Sequence, residues 1–412
     1  MIRLAIILHA YAGCQSRQIM RVIETFNLVF HKELEVPSHQ TILDWIVKSG
    51  IAESHNISIT SLKDGEAYHV ITDNSVCVNG QELHLELISP SKHPGHAIAH
   101  SDVRVAKMKV GKNWNGDNIK TELDDTFNRL GANPEYALSD NGGNICKAVR
   151  ETGIPHHRDI THSFGMALEH AYSGTDELKA FDQGVAYARK FIHTDMGCLM
   201  PPPKRAHSRF INLFDQAEWA YAVMNNFFAL KPLEQDVFAF VRKQASFTEE
   251  LKEVLASFEF MEKLVKEQGL SYETADTCKR HIAERFCGGT DRQRMLGEEL
   301  LGYFNREVKI LTSKDCAHNV ASDIIESTFG YTKERMSSCK NSGFTSYVLV
   351  LPLHLRLACI DDCKTYDAHH IMEQTHYADI KEWRKNNLLP NPICRRRYIL
   401  KADFNFGTEK SA

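Results

Sequence analysis

The spacing of apolar residues changes several times along the chain, and each change marks an element or a domain boundary. From Ser16 to Phe30 the positions Ile19, Val22, Ile23, Phe26, Val29 and Phe30 recur at helical spacing. The apolar start, Met1 to Leu8, runs on into more helical pattern from Tyr11 to Arg21 rather than into a cleavage region, so no signal peptide is expected. Pro37-Ser38 opens a further helix, with Ser38 as its expected N-cap and Gly50 as its expected stop. Ile42, Trp45 and Ile46 share one face of that helix, which leaves His39, Gln40, Thr41 and Lys48 to point outward. Residues 1–62 therefore read as an N-terminal helical domain.

Near residue 66 the period falls to two. Tyr68 to Thr72 reads as a strand ending at Asp73, and Asn79-Gly80 between Val76-Cys77-Val78 and Glu82 to Leu87 is a strong hairpin signal. Val103 to Val110 predicts another strand, Asn118 to Leu130 an amphipathic helix, and Tyr136 to Ser139 a strand before Asp140-Asn141-Gly142-Gly143. A helix over Asn144 to Glu151, a strand over His157 to Thr161 and a helix over Phe164 to Tyr172 follow. Strands and helices alternating in this way favour a mixed sheet with helices on its faces. From about 173 to 312 the strand signal is gone. Phe210 to Phe228, Thr248 to Lys266, Ala275 to Phe286 and Asp291 to Phe304 read as helices, with Thr290 capping the last and Pro201-Pro202-Pro203 as a stiff connector. A long helical pattern around Ile324, Ile325, Thr328 and Phe329 opens the segment 313–370, in which Phe344 to Ile360 is ambiguous between helix and strand; 371–412 is a mixed, basic C-terminal segment.

Composition narrows the classes. With 49 Lys+Arg against 53 Asp+Glu the net charge is −4, which argues against a protein that coats nucleic acid over its whole surface and leaves local basic patches open. No apolar run approaches a membrane span. Eleven cysteines without a CxxC pair fit reduced thiols, although Cys359 and Cys363 one helical turn apart, with His369 and His370 downstream, leave a zinc site conceivable. Residues 1–62 also resemble a helix-turn-helix, whose last helix would present Gln40 and Lys48 to a DNA groove, yet their five basic and five acidic residues equally suit a plain helical bundle.

Three acids stand out: Asp73 and Asp140 at predicted strand ends, where αβ sheets place chemistry, and Glu326 on the helix after the helical block. Carboxylates gathered there need a divalent cation to offset their repulsion. Ile71-Thr72-Asp73, Ser139-Asp140-Asn141-Gly142-Gly143 and Ile325-Glu326-Ser327-Thr328-Phe329-Gly330 resemble the acidic triad of the DDE transposases, which have a ribonuclease H-like catalytic domain within the retroviral-integrase superfamily. The helical block between the second and third acids resembles the insertion domain of hAT-type and related bacterial insertion-sequence enzymes. Asp159-Ile160-Thr161-His162 matches their Cys/Asp-x-x-His motif, and Lys333, seven residues after Glu326, matches a Glu-x6-Lys element of one bacterial group. The Tyr and Arg of that group would fall at Asn319 and Ser322, a departure from its pattern.

The resemblance implies an α/β ribonuclease H-like mixed sheet, 63–172 and 313–370, interrupted by an all-α insertion domain over 173–312. It implies a DNA transposase that cleaves transposon ends and joins their 3′-hydroxyls to target DNA. Asp73, Asp140 and Glu326 would bind two Mg²⁺ ions, replaceable by Mn²⁺, with Asp323 as rival third acid. His162 would sit near the scissile phosphate and Lys333 would contact DNA phosphate. Lys204, Arg205 and Arg209, the run Arg395, Arg396 and Arg397, and Lys107, Lys109 and Lys112 would also meet DNA. Trp219 would hold a flipped base, against the plainer expectation of a buried helix residue. Partners would be double-stranded DNA, as transposon ends and target, and a second copy or higher assembly on it. No membrane is implied, and the setting is the bacterial cytoplasm and its nucleoid. Two alternatives remain: a domesticated, non-cleaving DNA-binding protein of the same fold, and a structure-selective nuclease.

Overall fold

The computed structural model describes residues 1–55, 57, 67–203, 211–335, 343–390, 396 and 398–400. The chain divides into two compact units, Met1–His157 with Ser322–Ala412, and Arg158–Ala321.

The first unit begins with helices α1 (Ile2–Ala10), α2 (Ser16–Phe30) and α3 (His39–His55). Helix α3 continues past Gly50, which the sequence suggested as its stop. A Cβ at residue 50 would lie 1.8 Å from the Leu349 carbonyl oxygen, so this glycine serves close packing inside a helix rather than termination. Strands β1 (Tyr68–Val78), β2 (Gln81–Pro90) and β3 (Arg104–Gly111) follow, then α4 (Gly116–Leu130), β4 (Tyr136–Ser139), α5 (Gly143–Thr152) and β5 (His156–Arg158). Asn79 (φ 53°) and Gly80 (φ 69°) form the β1–β2 turn, both in the left-handed region as the Asn-Gly pair implied.

The five strands are ordered β3-β2-β1-β4-β5, with β1–β2 and β2–β3 antiparallel and β1–β4 parallel. Alternation sorts the side chains onto two faces. Val70, Ile88, Ala106 and Ala137 pack with Ile119, Leu123 and Phe127 of α4 and Ile145 and Val149 of α5. Ile71, Leu85, Leu87 and Leu138 form the opposite core.

In the second unit, α6 (Ile160–Tyr172), which the sequence assigned to the sheet domain, joins α7 (Asp176–Ala188), α8 (Ile211–Asn225), α9 (Pro232–Lys243), α10 (Ala245–Gln268), α11 (Tyr272–Phe286) and α12 (Asp291–Glu307) in a helical block, which the sequence expected over 173–312. Its core runs from Ile160 and Phe164 through Leu251, Phe258 and Ile282 to Phe304. The buried Glu250 carboxylate is held by Arg292 through two hydrogen bonds (3.0 and 2.9 Å) and by the Tyr172 hydroxyl (2.7 Å). That pairing is what permits a charge at such depth.

The chain then returns to the first unit with α13 (Asp323–Arg335), α14 (Val350–Arg356), α15 (Ile360–Thr365), α16 (Ala368–Gln374) and α17 (Tyr377–Asn387). Ile324, Ile325 and Phe329 of α13, Leu351 and Leu355 of α14 and Trp383 of α17 cover the Ile71 face of the sheet together with Val47 and Ile51 of α3. The ambiguous stretch Phe344 to Ile360 is thus resolved as a helix and turns rather than a strand. No described helix is long and apolar enough to cross a membrane.

Candidate active site

Asp73 does not end its strand. The sequence read the strand as ending there, but β1 runs on to Val78 in antiparallel pairing with β2, Asn74 opposite His84 and Ser75 opposite Leu83. What ends near Asp73 is the parallel pairing. Ile71 is level with Leu138 of β4, the last such pair; two residues further along the chain stand Asp73, still within β1, and Asp140, the first residue beyond β4. Adjacent strands lie about 4.8 Å apart. Alternation puts Asp73 on the face of Ile71, and Asp140 opens the turn that leaves the neighbouring strand at about the same level.

Local geometry holds both carboxylates. The Asn74 amide donates to Asp73 Oδ1 (2.6 Å). The Gly142 amide donates to Asp140 Oδ1 (2.8 Å), and a Cβ at residue 142 would fall 2.9 Å from that oxygen. A glycine is thus what lets the Asp140 carboxylate fold back over its own turn. Both side chains are half-buried, reachable from solvent yet backed by the sheet.

Helix α13 packs on β1, on the face that carries Asp73. Ile325 and Phe329 point into the core, and Asp323, Glu326, Ser327 and Lys333 are exposed. Lys333 Nζ lies 3.4 Å from Ser75 Oγ, and Ser75 shares its strand face with Asp73. Ser327 Oγ meets His100 Nε2 at 3.3 Å. Burial pushes His100 below its ordinary value of 6.5, so the ring is neutral at pH 7. Neither Ser75 nor His100 was singled out by the sequence, because each gains its place only through contact with α13.

The donor chemistry of Asp73 and Asp140 fits a hard divalent cation, since both are half-buried carboxylates just past the last parallel pair of neighbouring strands. Among the described residues no group of three His, Cys, Asp or Glu side chains is close enough to form a complete ligand set. The same holds for the zinc site considered at Cys359 and Cys363: the Cys359 thiol faces Asp362 Oδ2 (3.0 Å), and Cys363 is buried with its thiol toward the Leu357 carbonyl. The nine described cysteines are free thiols.

Asp159 and His162 belong to the second unit. Asp159 caps α6, its carboxylate accepting from the His162 amide (2.7 Å), so residues 160 and 161 begin a helix rather than extend a strand as the sequence suggested. Trp219 is half-buried among Phe238 and Phe240, and its indole N–H donates to the Leu199 carbonyl (2.8 Å). Among the described residues of this unit the most exposed aromatic is Phe228, 80% accessible, with the Arg242 guanidinium 4.6 Å from its ring centre. Sequence reasoning passed it over as the end of an apolar helical stripe.

Gln40 is exposed and donates to Asp44 (2.9 Å), and Lys48 is half-buried on α3. Lys107 and Lys109, considered for the DNA path, are instead tied to α4: Lys107 to Glu122 (3.1 Å) and Asp125, and Lys109 to Glu122. These acids neutralise them. Arg396 is exposed, whereas Lys204, Arg205, Arg209, Arg395 and Arg397 lie outside the described residues. Compared with protein-family models and with curated proteins, the chain shows no match in either.

Proposed function

We propose that this chain is a DDE-type DNA transposase with a ribonuclease H-like catalytic sheet. The observation that carries the reading is the placement of Asp73 on β1 and of Asp140 just beyond β4, each two residues past the last parallel pair, Ile71 and Leu138. The strand order β3-β2-β1-β4-β5, three antiparallel strands followed by a crossover to a parallel fourth, supports the ribonuclease H-like fold. Helix α13, which carries Glu326 and Lys333 over the same face, supports the assignment of the third acid.

On this reading Asp73 and Asp140 would hold Mg²⁺, with Glu326 or its neighbour Asp323 completing the set. The metal, when bound, supplies a nucleophile of lowered pKa and charge neutralisation at the phosphoryl group. The protein's own part is positioning. The Asn74 and Gly142 amides fix the two carboxylates. Lys333, exposed beside Ser75, offers a cation to a backbone phosphate. His162, at the start of α6, is the donor proposed for the scissile phosphate. In the helical unit, Phe228 with Arg242 is a better candidate than Trp219 for stacking on an unpaired base, because its ring is exposed. Gln40, Lys48 and Arg396, together with the basic residues at 204, 205, 209, 395 and 397, are proposed to grip double-stranded DNA as transposon ends and target.

The test is strand cleavage and strand transfer on DNA bearing the inverted repeats that flank the gene, with Mg²⁺ or Mn²⁺. Asp73→Asn and Asp140→Asn are expected to lower cleavage about 10³-fold, the equivalent of about 4 kcal/mol of transition-state stabilisation. An Asp140→Asn variant that cleaves as well as the parent sinks the reading. Tight, specific DNA binding with no metal-dependent product favours instead a non-cleaving protein of the same fold.

A further inference from the structure

The apolar stripe of α2 is longer than the core that it serves. Its N-terminal half delivers Ile19 and Ile23 to the small core shared with Ala5 and Ile6 of α1 and Ile42 and Ile46 of α3. The stripe then continues for two turns. Val22 (41%), Phe26 (40%), Val29 (59%) and Phe30 (58%) remain open to solvent. Their spacing, i, i+4, i+7 and i+8, is that of a helix face made to pack on another helix. The face is ordered. The Phe26 and Phe30 rings lie 4.7 Å apart, and Asn27 clamps the chain beyond the helix by hydrogen bonds to both the carbonyl (2.8 Å) and the amide (3.0 Å) of Leu34. Leu34, tied to the helix through Asn27, is also 39% accessible.

We infer that this face of α2 is a self-association surface whose occupant is the same face of a second copy. The area argues for it. Taking large apolar side chains at roughly 150–200 Å² when fully exposed, these five leave about 400 Å² uncovered per copy. Two copies related by a twofold axis would cover about 800 Å² of apolar surface. Because interfaces are about 60% apolar, that corresponds to about 1,300 Å² in total, within the range of a specific dimer. A single helical stripe is self-complementary under a twofold, which makes an isologous helix pair the simplest closed assembly. Charge argues against DNA as the occupant. The charged residues of α2, Arg17, Arg21 and Glu24, fall on the side of the helix opposite Phe26 and Phe30, so the apolar face itself presents no cation to phosphate and no like charge to a second copy. The inference stands apart from the transposase reading, since it concerns the chain without DNA.

The experiment is sedimentation equilibrium of the full chain without DNA, over a hundredfold concentration range. The parent is expected at dimer mass, dissociating on dilution. Phe26→Glu with Phe30→Glu is expected to weaken association at least about 100-fold, and Val29→Arg to do the same by a different substitution. Leu28→Glu, on the opposite side of the helix and 76% accessible, is expected to leave the dimer intact. Thermal unfolding at a concentration where all are monomeric checks that the variants fold alike. A parent monomeric at every concentration overturns the inference. So does a dimer that survives both interface variants.

Discussion

His84 Nε2 lies 2.9 Å from Glu86 Oε1, and neither side chain is accessible to solvent. The two point to the same face of β2, under α4, with the Trp114 ring 4.9 Å from the imidazole. His84 Nδ1 faces Asn74 Oδ1 at 2.7 Å and therefore donates to it, which links this buried pair to the strand that carries Asp73. Removing one member leaves the other buried without its partner. His84→Ala or Glu86→Ala is expected to cost about 3–5 kcal/mol, whereas replacing both with Leu should be nearly neutral. Urea unfolding of the two single variants and the double variant checks this. Additive losses in the double variant would show that the two do not act as a pair.

Gly50 sits in mid-helix against the backbone of Leu349, its built Cβ only 1.8 Å from the carbonyl oxygen. Helix propensity alone makes Gly50→Ala stabilising by about 1 kcal/mol. The contact reverses that sign, because a carbonyl cannot rotate away as a side chain can. The variant is expected to be destabilised by about 2–3 kcal/mol, the range of overpacked cores, as a lower urea midpoint with an unchanged slope.

The same glycine shows where the sequence stops being legible. Local signals came through: Tyr136 to Ser139 as a short apolar strand, Asn79-Gly80 as a turn and Thr290 as a helix cap, each set by neighbours in the chain. Features decided by distant contacts did not. Gly50 reads as a stop until Leu349 is placed beside it. Asp176–Ala188 was not distinguished as a helix; its Gly184 admits the Phe240 ring where a Cβ would clash. Nor was Pro232–Lys243 distinguished, whose proline occupies the first helical turn. Asp73 and Asp140 were legible as candidate acids, but their common level depends on a parallel register between strands more than sixty residues apart. Lys107 and Lys109 read as candidates for the DNA path because the acids that neutralise them lie on the following helix.

Trp219 and Phe228 separate packing from recognition within the helical unit. Trp219 donates its indole N–H to Leu199 and packs on Phe238 and Phe240, so Trp219→Ala is expected to lose about 3–5 kcal/mol of stability. Phe228 is exposed beneath Arg242, and Phe228→Ala should leave stability within about 1 kcal/mol. On the stacking proposal it should weaken binding to DNA with an unpaired base by about 1–3 kcal/mol. Fluorescence anisotropy with mismatched and fully paired duplexes measures this. An equal effect on both duplexes, or none, removes Phe228 from that role.

Glu122 of α4, with its side chain 8% accessible, bridges Lys107 and Lys109 of β3. Burial pushes the Glu122 carboxyl up, but the hydrogen bonds from Lys109 and Lys107 outweigh it and hold the group below its ordinary 4.5. Lys107 is likewise pushed down by burial, yet ends above its ordinary 10.5 because Asp125 and Glu122 accept from it. A depressed carboxyl binds fewer protons folded than unfolded, so its contribution is complete above the ordinary carboxylate value and is lost as pH falls through the folded one. A raised lysine contributes fully below its ordinary value and loses that contribution as pH rises through the folded one. The stabilisation from this bridge is therefore flat from about pH 5 to about pH 10 and falls away on either side. Glu122→Gln is expected to lose about 2 kcal/mol at pH 7. Its thermal midpoint should converge on that of the parent as both are taken toward pH 3. A gap between the two proteins that is as wide at pH 3 as at pH 7 would assign the loss to packing rather than to the ion pairs.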